Sequence, residues 1–359
     1  DKGTKKLDAN ELAAEKDKIA MGARVQAGVE SSSMSYQILS NYLGESLDLA
    51  ADMLRNPTFP EDELEKFRQQ VYAYLSNVEK NPSGNAPAMF NRAVYGTDHP
   101  LGGVWTEGLA ANLNQQSLQE FHAREIAPDS MTVFMIGDID IDTATKLVDD
   151  AFGDWKAKNA TNLKAVGNAV DKKPRVILVH QTVAVQSTIV AGHSIPPFDA
   201  EGDTELTVLN AVFGGDFEAR INMNLREDKG WSYGMGSGVR RNTSGDQTFI
   251  VRGSVQTDKT MESMMEIKKE FDEFLTVRPA TDTELQRVKL NRTRSLPGQF
   301  ATRRGFLRSM IGSDAYGLPY DHAESTAARV DAVTLDGVNA RAKSLVRPDE
   351  LTWVIVGDL

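Results

Sequence analysis

Apolar residues along the chain follow a period of three to four in some segments and form short runs in others. The first pattern is typical of amphipathic helices and the second of strands. Helices are predicted over residues 8–21, 45–55, 61–76, 142–152 and 204–213, from residue 117 onward, and around residues 264–274. Strands are predicted over residues 25–29, 35–39, 132–136, 175–180, 185–192, 248–254 and 351–356. Because strand pairs precede helix pairs, the order predicts an α+β fold with helices on one face of a largely antiparallel sheet.

For two of these helices the sequence predicts a further feature. Ser117-Leu-Gln-Glu120 has the form of a capping box, so a helix is predicted to begin there. In the helix over residues 61–76, apolar residues recur on one side, which we expect to pack on the core. These residues are Leu64, Phe67, Val71, Tyr74 and Leu75.

The chain contains an internal repeat at an offset of 220 residues. The segments Pro128–Asp138 and Pro348–Asp358 are identical at five of eleven positions, and each is typical of a turn followed by a buried strand. Glu63 and Glu284, each followed by Leu, begin long helices at nearly the same offset. Chance similarity of two strand ends is the alternative, but agreement at two places favours duplication.

The repeat predicts two similar domains. Residues 156–174 are rich in Ala, Asn and Lys and lack apolar periodicity, which is typical of a linker. The domains are therefore predicted at residues 1–155 and 175–359. The second begins with two strands and a helix that have no counterpart in the first, so we expect the first domain to be N-terminally truncated and its sheet to be incomplete.

Composition excludes several classes of protein. The chain has 359 residues, 40% hydrophobic and 25% charged, which fits a globular protein of about two domains. Its formal charge of −11 is opposite in sign to that of most nucleic-acid or anionic-membrane binders. No apolar run approaches the length of a membrane span. Since Cys is absent, disulfides, thiolate zinc sites and cysteine nucleophiles are excluded.

Neither the histidines nor the paired glycines define a site by themselves. No two histidines are four residues apart, so the metal-binding patterns H-E-x-x-H and H-x-x-E-H are absent. The five are His99, His122, His180, His193 and His322. Gly214-Gly215 lacks the Lys of a phosphate loop, and Asp216 would repel a phosphate, so a turn between two helices is predicted instead.

The order of motifs in the second half is the most informative feature. One helix ends at Gly214-Gly215, the next ends in the segment 226–230, and Trp231-Ser-Tyr233 begins a glycine-rich strand. With the closing Val-Gly-Asp358, this order resembles the insulinase/pitrilysin family of zinc peptidases, the inverzincins, which includes mitochondrial processing peptidase and its bacterial relatives. The resemblance covers essentially the whole chain, since similar landmarks occur in the first half at residues 2–4, 59–65 and 98–102.

The resemblance implies that zinc is bound outside this chain. Family members hold zinc with H-x-x-E-H and a distal Glu, which a supporting Glu precedes by seven residues. H-x-x-E-H would lie upstream of residues 2–4. The positions of the supporting Glu and the distal Glu correspond to Phe67 and Tyr74 in this chain. Neither side chain can replace a carboxylate at a divalent metal. Alternatively, both are simply core residues of the helix, which is compatible with the same loss. We expect no metal in this chain, and zinc in a homologous partner subunit or fused half.

Arg226 and Tyr233 have the family's spacing of a second-domain Arg and Tyr that reach the bound peptide near zinc. The resemblance therefore implies a non-catalytic half or subunit of a zinc endopeptidase. Such a chain would help to enclose peptide substrates and donate Arg226 and Tyr233 to its partner's active site. The alternative for Arg226 is a weak ion pair at a helix end.

Two further hypotheses stay open at this point. A purely structural relative, like the core subunits of respiratory bc-type complexes, would keep the fold but would not need the Arg–Tyr pair. The other hypothesis is an active zinc peptidase whose H-x-x-E-H segment is missing from the chain. Phe67 and Tyr74 argue against this hypothesis. The family resemblance and the absence of Cys suit a bacterial periplasm, with the cytoplasm as the alternative compartment.

Overall fold

The computed structural model packs the chain into two units, each discontinuous in sequence. Residues 1–77 and 105–164 form the first unit, and residues 78–104 and 165–359 form the second. The structure describes residues 2–156, 167–169 and 173–359. Most of the predicted linker at 156–174 lies outside the described residues, so the predicted domain division stays a prediction.

Helices dominate the described residues. In chain order the helices are α1 (Ala9–Lys18), α2 (Leu43–Arg55), α3 (Glu61–Lys80), α4 (Ala86–Tyr95), α5 (Glu107–Asn112), α6 (Gln115–Glu125), α7 (Ile141–Phe152), α8 (Asp203–Asn210), α9 (Arg220–Asn222), α10 (Thr260–Leu275), α11 (Asp282–Gln299), α12 (Arg303–Ala315), α13 (Thr326–Ala332) and α14 (Leu335–Leu345). The strands are β1 (Arg24–Ala27), β2 (Ser32–Ser35), β3 (Arg175–His180), β4 (Gln186–Ile195), β5 (Ser232–Arg240), β6 (Gln247–Gln256) and β7 (Thr352–Gly357). The α+β class is confirmed. Within the described part of the chain, no helix is both long and apolar enough to cross a membrane.

The sheet of the first unit is small. It consists of β1 and β2, paired antiparallel, and β2 lies at Ser32–Ser35 rather than at the predicted 35–39. The strand predicted over residues 132–136 is wrong, because these residues form no strand in the described structure. A strand exists only where a neighbour completes its hydrogen-bonded ladder. Met135 instead packs against the small cluster that joins α2 and α7.

Two predictions about helices of the first unit are corrected. The N-cap of helix α6 lies three residues earlier than predicted, because Asn114 takes this position and accepts a hydrogen bond from the Ser117 N–H at 2.9 Å. The packed side of α3 is narrower than predicted. Leu64 and Val71 are buried, but Phe67 and Tyr74 are 39% and 48% exposed, so neither is a core residue.

The second unit contains a five-stranded sheet in the order β3-β7-β4-β6-β5. The β3–β7 pair is parallel and the other three pairs are antiparallel. One face packs on a large apolar core that includes Phe213, in the turn that follows α8, and Phe271 of α10. Strand β5 is therefore an edge of this sheet, and β4 lies at its centre.

Helix α4 covers the opposite face of the same sheet, although it precedes the linker in sequence. Its Phe90 and Val94 pack against Val190, Val354 and Val356 of β4 and β7. Because both faces are covered, β4 is buried continuously from Ile189 to Ile195, as expected for a central strand between two layers. The second sheet thus has helices on both faces, where one face was predicted, and residues 78–104 belong to the second unit for this reason.

The first π-helical turn, Ala211–Gly215, lies against the edge strand β5. A Cβ atom on Gly214 would lie 2.6 Å from Ser237 Oγ and 2.7 Å from its backbone nitrogen. Only glycine allows this approach without displacing the strand. The hydroxyl of Ser237 also donates to Asn210 Oδ1 at 2.8 Å, which fixes the position of β5 relative to the turn.

We expect Gly214→Ala to lower the free energy of unfolding by about 1–3 kcal/mol, because overpacking in a closed contact has this cost. Gly238→Ala on β5 is the matched control, since a Cβ there meets nothing within 4 Å. Chemical denaturation of both variants measures the difference. Equal stability of the two variants would contradict the close contact.

Candidate functional site

A β-bulge sets the direction of Tyr233. Ser232 pairs with Val255 and Gly234 pairs with Ser254, so Tyr233 is the extra residue between two paired positions. The Ser232 hydroxyl donates to the Ser254 carbonyl at 2.7 Å and accepts from the Gly234 N–H at 3.0 Å, which stabilises the bulge. Bulges re-aim side chains at sheet edges. Tyr233 is consequently 89% exposed, although it belongs to a strand.

Arg226 lies in the second π-helical turn, Met223–Asp228. Gly230, at φ +67°, reverses the chain at the end of this turn. The Gly230 N–H donates to the Arg226 carbonyl at 3.1 Å, and the Trp231 N–H donates to the Leu225 carbonyl at 2.9 Å. Leu225 is buried, so the turn is held to the core while the next side chain, Arg226, points outward. Wide turns of this kind often occur at functional sites.

Asn224 ties this turn to helix α10. Its amide donates to Glu266 Oε2 at 3.0 Å and to Glu270 Oε1 at 2.8 Å. The hydrogen bond from Asn224 is the main reason why the pKa of Glu266 lies below its ordinary value. Glu270 is buried and also accepts from Arg278 Nη1 at 3.3 Å. The backbone that carries Arg226 is therefore anchored on its inner side.

The guanidinium of Arg226 has two neighbours, both exposed. It lies 4.5 Å from the centre of the Phe217 ring, and its Nε is 3.5 Å from Glu227 Oε1. An exposed cation–π contact and an exposed ion pair each contribute at most about 1 kcal/mol. The predicted ion-pair alternative for Arg226 therefore accounts for little stability, and the side chain stays accessible.

The structure places Arg226 and Tyr233 on the same part of the second unit. The turn that carries Arg226 packs against β5, whose first residues include Tyr233. Among the described contacts there is no hydrogen bond or ring contact between the two side chains. Each side chain is therefore available to contact a third molecule, and neither one positions the other.

Sequence patterns did not single out Asn222, which joins the two parts of this surface. It is buried, accepts from the Met235 N–H on β5 at 3.1 Å, and donates to the Phe217 carbonyl at 2.7 Å. Asn222 thereby satisfies a backbone N–H of the edge strand and holds the loop that carries Phe217. The only feature of the sequence that points to Asn222 is its polar side chain, which lies between the buried Ile221 and Leu225.

Phe67 and Tyr74 lie in the first unit on the exposed side of α3. Phe67 contacts Trp105 edge-on, with ring centres 5.7 Å apart. Because the side chains at these two positions are aromatic, this side of α3 offers no carboxylate there. Among the described residues, no group of three or more His, Asp or Glu side chains could hold a metal ion.

The histidines take structural roles where their contacts are described. His99 accepts from the Leu101 N–H, and its Nε2 bonds to the Gly167 carbonyl at 2.9 Å. His193, in β4, bonds to the Ser194 carbonyl and accepts from the Arg347 N–H at 3.2 Å, while burial lowers its pKa. His122 bonds to the Leu54 carbonyl.

Gly214-Gly215 is a closed turn and offers no cradle for a phosphate. Gly214 is buried against β5, and a Cβ on Gly215 would lie 2.4 Å from the Asn210 amide. Asp216 follows, with one carboxylate oxygen 3.4 Å from Arg292 Nη2.

Comparison with known proteins places this geometry in a family. A family model described as "Insulinase (Peptidase family M16)" matches residues 2–102. A second, described as "Peptidase M16 inactive domain", matches residues 112–291, half of the chain.

The chain is similar to an uncharacterized zinc protease, YmxG, of Bacillus subtilis, with 31% identity over 65% of this chain and 56% of that protein. A related mycobacterial protein is covered to a similar extent. The chain therefore spans about half the length of these curated relatives. A Helicobacter pylori protein named "Non-peptidase homolog YmxG" is 24% identical over 99% of this chain and 82% of its own length.

The solved structure of a peptidase M16 inactive domain from Pseudomonas fluorescens has the same fold. It superposes with a TM-score of 0.90 at 20% identity and covers 100% of this chain and 85% of that one. The resemblance found in the sequence is thus confirmed by two matching family models. The chain belongs to the insulinase family, peptidase family M16, and is similar to its non-catalytic members.

Proposed function

We propose that this chain is the non-catalytic half or subunit of a zinc metalloendopeptidase. It helps to enclose peptide substrates, and it contributes Arg226 and Tyr233 to a zinc site held by a homologous subunit or fused half. The observation that carries the proposal is the bulge at Tyr233, which exposes 89% of this residue at the sheet edge. The proposed compartment is the bacterial periplasm.

The two side chains suit the charge that develops during peptide hydrolysis. Attack on a peptide bond places negative charge on the scissile carbonyl oxygen, and donors fixed at that oxygen stabilise the transition state. Arg226 supplies a permanent positive charge with several N–H donors, and Tyr233 supplies one O–H donor. Because Asn224 and Gly230 fix the turn beneath Arg226, little backbone order has to be gained when a peptide binds.

The edge strand offers a second means of binding a peptide. An extended peptide can add to an exposed sheet edge through its backbone. Strand β5 is such an edge. Because Asn222 already accepts from the Met235 N–H, a peptide would add beside the bulge segment that precedes Met235. A pure scaffold has no need for a bulge that exposes an aromatic side chain, so the structural hypothesis ranks second.

We expect the isolated chain to bind no stoichiometric zinc and to cleave no peptide. The reason is that Phe67 and Tyr74 occupy the positions where the family resemblance calls for carboxylates. Metal analysis of purified, dialysed protein measures this directly. About one tightly held zinc ion per chain would instead support an active peptidase.

We expect Arg226→Ala and Tyr233→Phe each to lower kcat/KM of the complex with the zinc-binding partner by about 10²–10³-fold, the usual cost of losing one such donor. Zinc content and assembly should be unchanged, because Tyr233 is exposed and half-buried Arg226 makes only one ion pair, at 3.5 Å, and one ring contact. Arg294→Ala, on the exposed side of α11, is the matched control for loss of one positive charge. If both site variants stay within about twofold of the parent, the pair has no role in catalysis and the scaffold hypothesis takes first place.

A further inference from the structure

The second unit contains a groove that the proposed function does not use. It lies between the loop after β4, the end of α11, helix α12 and the segment before α13, and its volume is about 500 Å³. Small-molecule sites commonly have volumes of about 300–1,000 Å³. The groove is open on one side, so a ligand can enter without a conformational change.

The charge of the groove is opposite to that of the chain. Three arginines, Arg241, Arg308 and Arg329, line it, against a single carboxylate, Asp203. The whole chain carries a formal charge of −11. Asp203 is already paired with Arg241, whose Nε lies 2.8 Å from Asp203 Oδ1. The residues that line the groove therefore keep two positive charges in excess, although Asp321, which does not line the groove, acts on the lining residue His322.

Arg308 and Arg329 have no carboxylate partner among the described residues. Arg329 donates to neutral acceptors only, the His322 carbonyl at 2.7 Å, the Ser325 hydroxyl, and the Thr326 hydroxyl at 3.1 Å. Burial lowers the pKa of Arg329 despite the favourable effect of Asp203. Burial, and then the charge of Arg329, also lower the pKa of His322, which disfavours a positive charge on this ring.

Aromatic side chains form the walls beside these charges. Phe198 and Tyr316 lie with ring centres 4.4 Å apart, and Phe300 packs against Phe306 at 5.4 Å. Phe198, Phe300 and Tyr316 all line the groove. A guanidinium binds a carboxylate through paired hydrogen bonds, and an aromatic wall favours a flat or aliphatic group beside it.

We propose that this groove binds organic carboxylates that carry an aromatic or aliphatic group next to the charge. The carboxylate lies between Arg308 and Arg329, and the apolar group lies against Phe300 and the Phe198–Tyr316 pair. Both a free carboxylic acid and the C-terminus of a short peptide have this chemistry. The inference goes beyond the proposed function and does not depend on it.

Titration of the full chain with N-acetyl-phenylalanine, followed by ligand-observed NMR, tests the proposal. N-acetyl-phenylalaninamide, which lacks only the charge, and N-acetyl-alanine, which lacks only the ring, should each bind at least tenfold more weakly. Binding of N-acetyl-phenylalanine should weaken as salt rises, because the contacts are charged and partly exposed. The tripeptide Ala-Ala-Phe separates the two sources: tighter binding than that of N-acetyl-phenylalanine indicates a peptide C-terminus, and weaker binding indicates a free acid.

Arg308→Glu should abolish the preference for the carboxylate over the amide, and Phe300→Ala should weaken both ligands. Arg304→Glu, on the same helix but outside the groove, is the matched control and should bind like the parent. Arg308 is exposed and has no described structural partner, so its replacement should leave the fold intact. Equal binding of acid and amide to the parent chain, or unchanged acid binding by Arg308→Glu, would overturn the proposal.

Discussion

The contact between the Ala211–Gly215 turn and strand β5 is the constraint on which the candidate site depends. Gly214 allows the turn to reach the backbone of Ser237, where any side chain would collide. With β5 fixed in this place, Asn222 can bond to the Met235 N–H and hold the Phe217 loop. Arg226 then lies over the Phe217 ring, and the bulge beside β6 turns Tyr233 outward. A close backbone approach thus positions two side chains that do not touch each other.

The second unit shows why the edge is available. Helix α4 covers the face of the sheet that the core helices leave open, so β4 is buried on both sides. Both faces of the central strands are thereby covered by helices of the second unit. At the edge strand β5 the bulge exposes Tyr233 and Gly234, while the rest of the strand is half-buried or buried. An exposed edge is a surface that natural proteins either protect or use.

Local sequence signals predicted those parts of the fold that depend on neighbours in the chain. The strand at 175–180 and the helix containing Ile267 and Phe271 are found as predicted, because periodicity and turn residues define them. Arg226 and Tyr233 were identified through the family resemblance, whose spacing and context they match. The directions of their side chains could not be predicted from the sequence. The bulge depends on pairing with β6, and the π-helical turn depends on the contact of Asn224 with α10.

The errors have the same origin. Residues 132–136 have the composition of a strand, but the sheet of the first unit consists of β1 and β2 and does not include them. In α3, the apolar side is wider than the part that packs on the core, so periodicity could not show that Phe67, at its margin, is exposed. The equal positions of Glu63 in α3 and Glu284 in α11, each the third residue of its helix, agree with the predicted repeat.

Photo-crosslinking from position 233 tests the central claim most directly. With p-benzoylphenylalanine in place of Tyr233, and with the chain bound to its zinc-binding partner, a labelled peptide substrate should become attached to this position. Unlabelled peptide should compete for the attachment, and the same reagent at the exposed Tyr320 of the second unit should give none. Attachment of the peptide at Tyr320 but not at position 233 would contradict the claim that the bulge presents Tyr233 to the substrate.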